Sequence, residues 1–230
     1  MLSLSNTAQG LGAFDKLRLS GIGRSGQGGL RSGSFCLKTS QACHPDEVPF
    51  AVLPTFRYHP DPIASGSVEP SEIRCVCCEQ ARGFIYTGPV YALDEYQDSI
   101  CPWCIADGSA NTRLGTSFTD ESGIGGYGEW DFVSQEVAAA VAYRTPGFNG
   151  WQQEQWWTHC GDAAAFLGRF GFRDLEVLGS DAIEAIKLNT GLQDDEWDRF
   201  YVNLNKDGSP TAYLFRCVHC GLHGGYQDSN

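Results

Sequence analysis

Short β-type runs alternate with helical stripes along this chain, and neither pattern dominates. "GFIYTGPVY" (83–91) is β-branched and aromatic, bounded by glycine and proline, and predicts a short strand. "TAYLFRC" (211–217) predicts another, entered from the turn "NKDGSP". Leu93, Tyr96 and Ile100 in "LDEYQDSI" fall on one helical stripe, with acids in the first turn. "WDFVSQEVAAAVAYRTPGF" predicts a helix through Glu136–Tyr143, stopped by Pro146-Gly147. "WQQEQWWTHCGDAAAFLGRFGF" reads as a loop passing into a helix near Asp162. "SDAIEAIKLNTG" opens on a capping-box pattern, Ser180/Asp181 with Glu184, and closes on Gly191. "DDEWDRFYVNL" sets Trp197, Phe200, Tyr201 and Leu204 at helical spacing. Ahead of all these, the four prolines of "LPTFRYHPDPIASGSVEPSEIRC" predict an extended, turn-rich entry segment. There is no repeat and no βαβ rhythm. The expected architecture is one α+β domain from about residue 51 to 230.

The first fifty residues follow a different pattern. "GIGRSGQGGLRSGSF" is rich in Gly, Ser and Arg, and Asp15 is the only acid before Asp46. Such a segment buries too little apolar surface to offset its ordering entropy, so residues 1–50 are expected to be a disordered extension. An Arg- and Ser-rich, acid-poor leader also has the composition of an organelle transit peptide. A mis-assigned start is the third reading: the single Met is residue 1, and Val48 or Val52 would serve as an alternative initiator. Cys36, Cys43 and His44 in this leader read as stray residues rather than a metal run.

Composition narrows the function. The 230 residues carry a formal net charge of −12, which repels phosphate backbones and anionic lipid and disfavours nucleic acid as a partner. No apolar run approaches the roughly 20 residues needed to span a bilayer. With no secretory signal pattern, the cytoplasm is the default compartment. Ten cysteines there point to metal or catalysis rather than to disulfides.

Cysteine spacing is the strongest chemical signal. Cys75-x2-Cys78 and Cys101-x2-Cys104 stand 22 residues apart, and two such turns supply the four thiolates of a tetrahedral zinc site. Thiolates select zinc over hard cations. Cys77, in "CVCC", is the alternative to Cys78. "CPWC" alone also matches a redox dithiol at a helix N-terminus. That motif normally follows a strand in a βαβ unit, whereas here a helix is expected before it and a second pair lies upstream. A second cluster is expected from Cys217 and Cys220 in "FRCVHCGLH", joined by Cys160 of "WTHCGD" and by His223 or Asp162. Adjacent residues of an extended chain point opposite ways, so His159 and Cys160 are not expected to share one ion. A buried free thiol is the bland alternative for Cys160. In "YHPDP", His59 beside Asp61 reads as part of an ordered arm before it reads as a catalytic pair.

"FRYHPDPIASGSV", "CVCCEQARGFIYTGPVYALDE", "ICPWCIADGSA", "FTDE", "TPGF", "WTHCGD" and "YLFRCVHCG" resemble, in this order, the CbrC family, also called UPF0167. The resemblance covers nearly all of 53–223 and leaves the leader outside it. It implies a bacterial cytoplasmic protein, with a family name taken from colicin tolerance, and it supplies no reaction. Together these readings favour a zinc-stabilised interaction or regulatory protein with a protein partner, whose zinc-ribbon-like knuckles hold Zn2+. "TPGFNGWQQEQWW" is a candidate contact surface. The alternative is a zinc- or thiol-dependent enzyme working at Cys160, Cys217 and Cys220.

Overall fold

The computed structural model describes residues 52–230. The expectations placed on the leader, including Cys36, Cys43 and His44, lie outside the described residues. From residue 52 the chain runs without regular structure as far as β1 (Val68–Ser71), as its prolines require. β1 pairs antiparallel with β2 (Gly83–Tyr86), Val68 opposite Tyr86. The stripe Leu93–Tyr96–Ile100 does not form a helix. Asp98 takes a positive φ of 53°, the Gln97 side chain donates to the carbonyls of Thr87 and Gly88, and Ser99 Oγ donates to Tyr96 O. Local side-chain hydrogen bonds have won over a weak helical pattern, leaving Leu93 in solvent and Ile100 buried.

Helix α1 (Pro102–Ala106) starts on Cys101, with Pro102 in the first helical position. Gly108, at φ 78°, ends it and opens α2 (Ser109–Leu114). These two helices, the β1–β2 hairpin and Phe56 enclose the first core cluster, which contains Val68, Tyr86, Ile100, Ile105 and Phe118. Two 3-10 turns (Glu121–Gly123 and Gly126–Gly128) lead to α3 (Gln135–Arg144), one residue longer at each end than expected. Ser134 Oγ accepts from Val137 N–H at its start, and the chain leaves the helix at Thr145, ahead of Pro146.

The segment expected to enter a helix near Asp162 is β-structure instead. β3 (Thr158–His159) and β4 (Asp162–Ala163) make a hairpin around Cys160-Gly161, and β5 (Ala165–Phe170) follows. Three alanines have high helix propensity, but tertiary pairing overrides it. Three helices come next: α4 (Phe172–Leu178), α5 (Ser180–Thr190) and α6 (Asp194–Tyr201). Gly179, rather than Ser180, caps α5, and Gly191 closes it as expected. β6 (Thr211–Arg216) lies between β5 and β7 (His223–Asp228) in an antiparallel sheet of order β5-β6-β7. Both faces of β6 are covered. Tyr213 and Phe215 meet Phe148, Trp156, Phe166 and Tyr226, while Ala212 and Leu214 meet Leu175, Ile186 and Trp197 of the α4–α6 layer. Burying each large side chain contributes roughly 1.5–3 kcal/mol.

β7 has poor strand propensity, since "HGGYQD" holds two adjacent glycines after its first residue. Close approach explains them: a Cβ on Gly224 would sit 2.1 Å from the Trp157 ring, and one on Gly225 would sit 2.1 Å from Tyr213 O. The antiparallel strands and segregated helices make this an α+β fold.

Candidate metal centres

Cys75 and Cys78 sit on a tight turn. Cys75 N–H donates to Gln80 O at 3.0 Å, and Glu79 N–H donates to Cys75 O at 2.7 Å, with Glu79 at φ 60°. Cys217 and Cys220 sit on a turn of the same pattern: Cys217 N–H to Leu222 O at 2.8 Å, Gly221 N–H to Cys217 O at 3.1 Å, and Gly221 at φ 76°. Each is a knuckle that turns two sulfurs to one side. The positive φ falls one residue after the second cysteine, where Gly221 adopts it freely and Glu79 does not.

The first knuckle faces the start of α1. Cys75 Sγ lies 3.8 Å from Cys104 Sγ, and Cys78 Sγ lies 3.8 Å from Cys101 Sγ. The four donor atoms fall within 4.8 Å of one another. Four thiolates at about 2.3 Å around a tetrahedral ion would stand about 3.8 Å apart, so the arrangement fits a zinc-sized cation. Cys101 N–H donates to Cys75 Sγ at 3.2 Å. That thiol is held down to about 4 by the Cys101 thiol against burial, with help from the backbone N–H groups of Cys101, Cys78 and Cys77. Cys101 is pushed up by the Cys75 sulfur and by burial; burial pushes Cys104 up to about 12. A first negative charge is welcome here and further ones are not, so a bound cation would favour the remaining thiolates. Cys101 does stand at a helix N-terminus, as a redox dithiol would, but Cys101 and Cys104 are buried against the other two sulfurs. Cys77 turns away, its sulfur 3.6 Å from Ser109 Oγ.

The second cluster joins His159, Cys160, Cys217 and Cys220, again within 4.8 Å of one another. His159 Nδ1 lies 3.2 Å from Cys160 Sγ and 3.5 Å from Cys220 Sγ. A nitrogen at about 2.0–2.1 Å and a sulfur at about 2.3 Å on one tetrahedral ion would be about 3.6 Å apart. His159 thus occupies the place that the sequence assigned to His223 or Asp162. The premise that failed was an extended chain. Cys160 and Gly161 have φ of 57° and 69°, the two positive values of a tight hairpin turn, and the reversal swings Cys160 onto the His159 side. His223 instead belongs to the β6–β7 ladder, opposite Arg216. Cys217 is buried, whereas Cys160 and Cys220 are exposed. Burial opposes ionisation of Cys217, yet the backbone N–H groups of Cys220 and His219, with His159, hold it down to about 6.

Asp162 braces this centre from outside. Its Oδ2 accepts from Arg57 Nη2 at 2.7 Å and from His219 Nε2 at 2.8 Å; its Oδ1 accepts from Tyr58 OH at 2.9 Å and Ala163 N–H at 2.8 Å. Desolvation works against the carboxylate, but these donors outweigh it and lower its pKa. Because His219 lies between Cys217 and Cys220, Asp162 also orients the knuckle, as partners behind metal ligands do. His59 is no catalytic pair with Asp61. It is fully buried, with Nδ1 2.7 Å from Pro146 O and Nε2 2.7 Å from Ser65 Oγ, while Asp61 accepts from Ala64 N–H in the following turn. Within the tryptophan-rich stretch, Trp156 and Trp157 are core residues, whereas Trp151 is partly exposed, its Nε1 donating to Gly208 O and Thr211 Oγ1.

Two knuckles, each completed by other residues to four close donors, define an α+β protein with two clusters able to hold a metal ion. The sequence model described as "Uncharacterised protein family (UPF0167)" matches residues 53–229, and the chain belongs to that family. UPF0167 proteins of Mycobacterium bovis and Mycobacterium tuberculosis are each 49% identical over 179 residues, covering 76% of this chain and 93% of theirs. A UPF0167 protein of Pseudomonas aeruginosa is 42% identical over 170 residues, 74% of this chain and 93% of its own. No solved structure matches the chain. Among the described residues, no helix is long and apolar enough to cross a membrane.

Proposed function

We propose that this is a zinc-stabilised interaction protein of the cytoplasm that uses both clusters as closed, non-catalytic centres. The observation that carries the reading is the donor count. Cys75, Cys78, Cys101 and Cys104 make a complete four-thiolate set, and His159 brings Cys160, Cys217 and Cys220 to a complete set of four. Catalytic zinc keeps a position for water or substrate, whereas four protein ligands leave none. Zinc fits better than harder cations because seven of these eight donors are thiolates. Eight free cysteines among the described residues suit a reducing compartment. The colicin tolerance in the family's other name enters only as the phenotype in which to look for a partner.

One observation favours an enzyme: the 3.2 Å pair of Cys160 Sγ and His159 Nδ1 has the spacing of a thiol nucleophile and its base. Its electrostatics point the other way. Desolvation and the Cys220 and Cys217 thiols push Cys160 up to about 11, and a working nucleophile is pushed down. Elemental analysis and thiol counting on the purified full chain test the proposal. Two zinc ions per chain and no alkylation of Cys160 are expected, with Cys101→Ser losing one ion. A single zinc together with a rapidly alkylated Cys160 would overturn the closed second centre and restore the enzyme.

A further inference from the structure

The most exposed aromatic side chain among the described residues stands beside an acidic cleft. Phe132 is 92% exposed, in the loop between the second 3-10 turn and α3. With Ile124, Trp130, Val133 and Ala138 it lines a cleft of about 450 Å³, to which Glu121 and Asp131 contribute the charge. No Lys or Arg occurs between Arg113 and Arg144, a stretch holding Asp120, Glu121, Glu129, Asp131 and Glu136.

The loop is fixed in place. Trp130 N–H donates to Gly125 O at 3.1 Å, Thr158 Oγ1 donates to Asp131 O at 2.6 Å, and Gly161 N–H donates to the Asp131 carboxylate at 3.4 Å. The last two bonds tie it to the hairpin that carries His159 and Cys160. An exposed aromatic ring on a pre-ordered loop loses little entropy when a partner covers it. Aromatic anchors of this kind dominate binding energy at protein interfaces.

We propose that this cleft docks a basic, amphipathic peptide segment of a protein partner. One apolar side chain enters between Phe132, Trp130 and Ile124. Flanking Arg or Lys side chains meet Glu121 and Asp131, and an Arg stacks on the exposed ring. Charge selects this occupant: at −12 per chain, a second copy would bring like charge to an acidic rim, and nucleic acid would do the same. The proposal rests on the interaction-protein reading and names the chemistry of its partner.

The test is fluorescence anisotropy on the zinc-loaded full chain. The probe is a labelled synthetic peptide of about a dozen residues, with Arg and Lys flanking a Leu-Phe pair. Saturable binding is expected, and Phe132→Ser should weaken it by about tenfold or more, the scale of a hot spot. Glu121→Gln should weaken it a few-fold, and an analogue with Glu replacing Arg and Lys should not bind. Leu188→Ser removes an exposed leucine of α5 that does not line the cleft and should change nothing. Equal binding to wild type and Phe132→Ser, equal binding of the acidic analogue, or no saturable binding would overturn the proposal. So would sedimentation showing a dimer that Phe132→Ser dissociates. Zinc content, measured on the same samples, reports separately on the metal reading.

Discussion

Acid should destabilise the domain through one buried histidine. The Pro146 carbonyl can only accept, so His59 Nδ1 carries the proton and Nε2 accepts from Ser65 Oγ. The ring packs edge-on against Phe166 at 5.1 Å. Burial lowers its pKa to about 4, although the Pro146 carbonyl and Asp61 pull the other way. Unfolded, the same group titrates near 6.5. Between these values the unfolded chain takes up a proton that the folded chain refuses, so stability is complete above about pH 6.5 and falls as the pH drops toward 4. Linkage gives a loss of about 2 kcal/mol by pH 5 and about 3 kcal/mol by pH 4. Thiolate protonation will also release metal in acid, so the measurement is a difference. Urea unfolding, followed by tryptophan fluorescence at pH 7.5 and pH 5, is compared for zinc-loaded wild type and His59→Asn. Asparagine keeps a donor for Pro146 O and removes the titrating ring. It costs stability at every pH through the lost Phe166 contact, while metal loss is common to both proteins. Wild type should lose about 2 kcal/mol more than the variant between the two pH values. Parallel losses would refute the reasoning.

The two candidate histidines of the second centre separate cleanly: His159→Ala should reduce zinc content from two to one per chain, and His223→Ala should leave it at two, both read by native mass spectrometry. Zinc held by the second cluster should pass to a competing chelator faster than zinc held by the first, because Cys160 and Cys220 are exposed and the first set is largely buried; a single uniform rate in a chromogenic chelator assay would contradict this. Glu79→Gly should be neutral or raise stability by up to about 1 kcal/mol in urea, since it relieves a left-handed φ at the first knuckle at the expense of a more flexible unfolded chain.

What could be read in advance depended on how local the physics was. Cys75, Cys78, Cys101 and Cys104 announce themselves because each pair is a short turn and the pairs lie close in sequence. α3 and α5 were legible because Pro146 and Gly191 mark their ends. The fourth donor of the second cluster was not, because it depends on one backbone angle: a left-handed Cys160 in a two-residue hairpin. The dipeptide Cys160-Gly161 carried a faint signal, glycine at the second turn position, but the first position usually belongs to Asn, Asp or Gly. β5 was hidden by the run of alanines that leads into it, and β7 by its glycines. Both are strands because β6 lies between them, a fact about residues far away in sequence. The cleft at Phe132 was invisible, since nothing in "WDFV", which stands ahead of the helix expected over Glu136–Tyr143, shows which of its apolar side chains face solvent.

Asp162 bears on where the chain can be cut. Its carboxylate is 10% exposed and gathers donors from residues 57 and 58, from the hairpin itself, and from residue 219. Nearly the full span of the described chain converges on that one side chain. A fragment beginning after Tyr58 would leave a mostly buried negative charge without its guanidinium and its phenol, beside a cluster of thiolates. A fragment that keeps these contacts must therefore start no later than Phe56, whose ring packs in the first core cluster just ahead of Arg57 and Tyr58, before any helix or strand has begun.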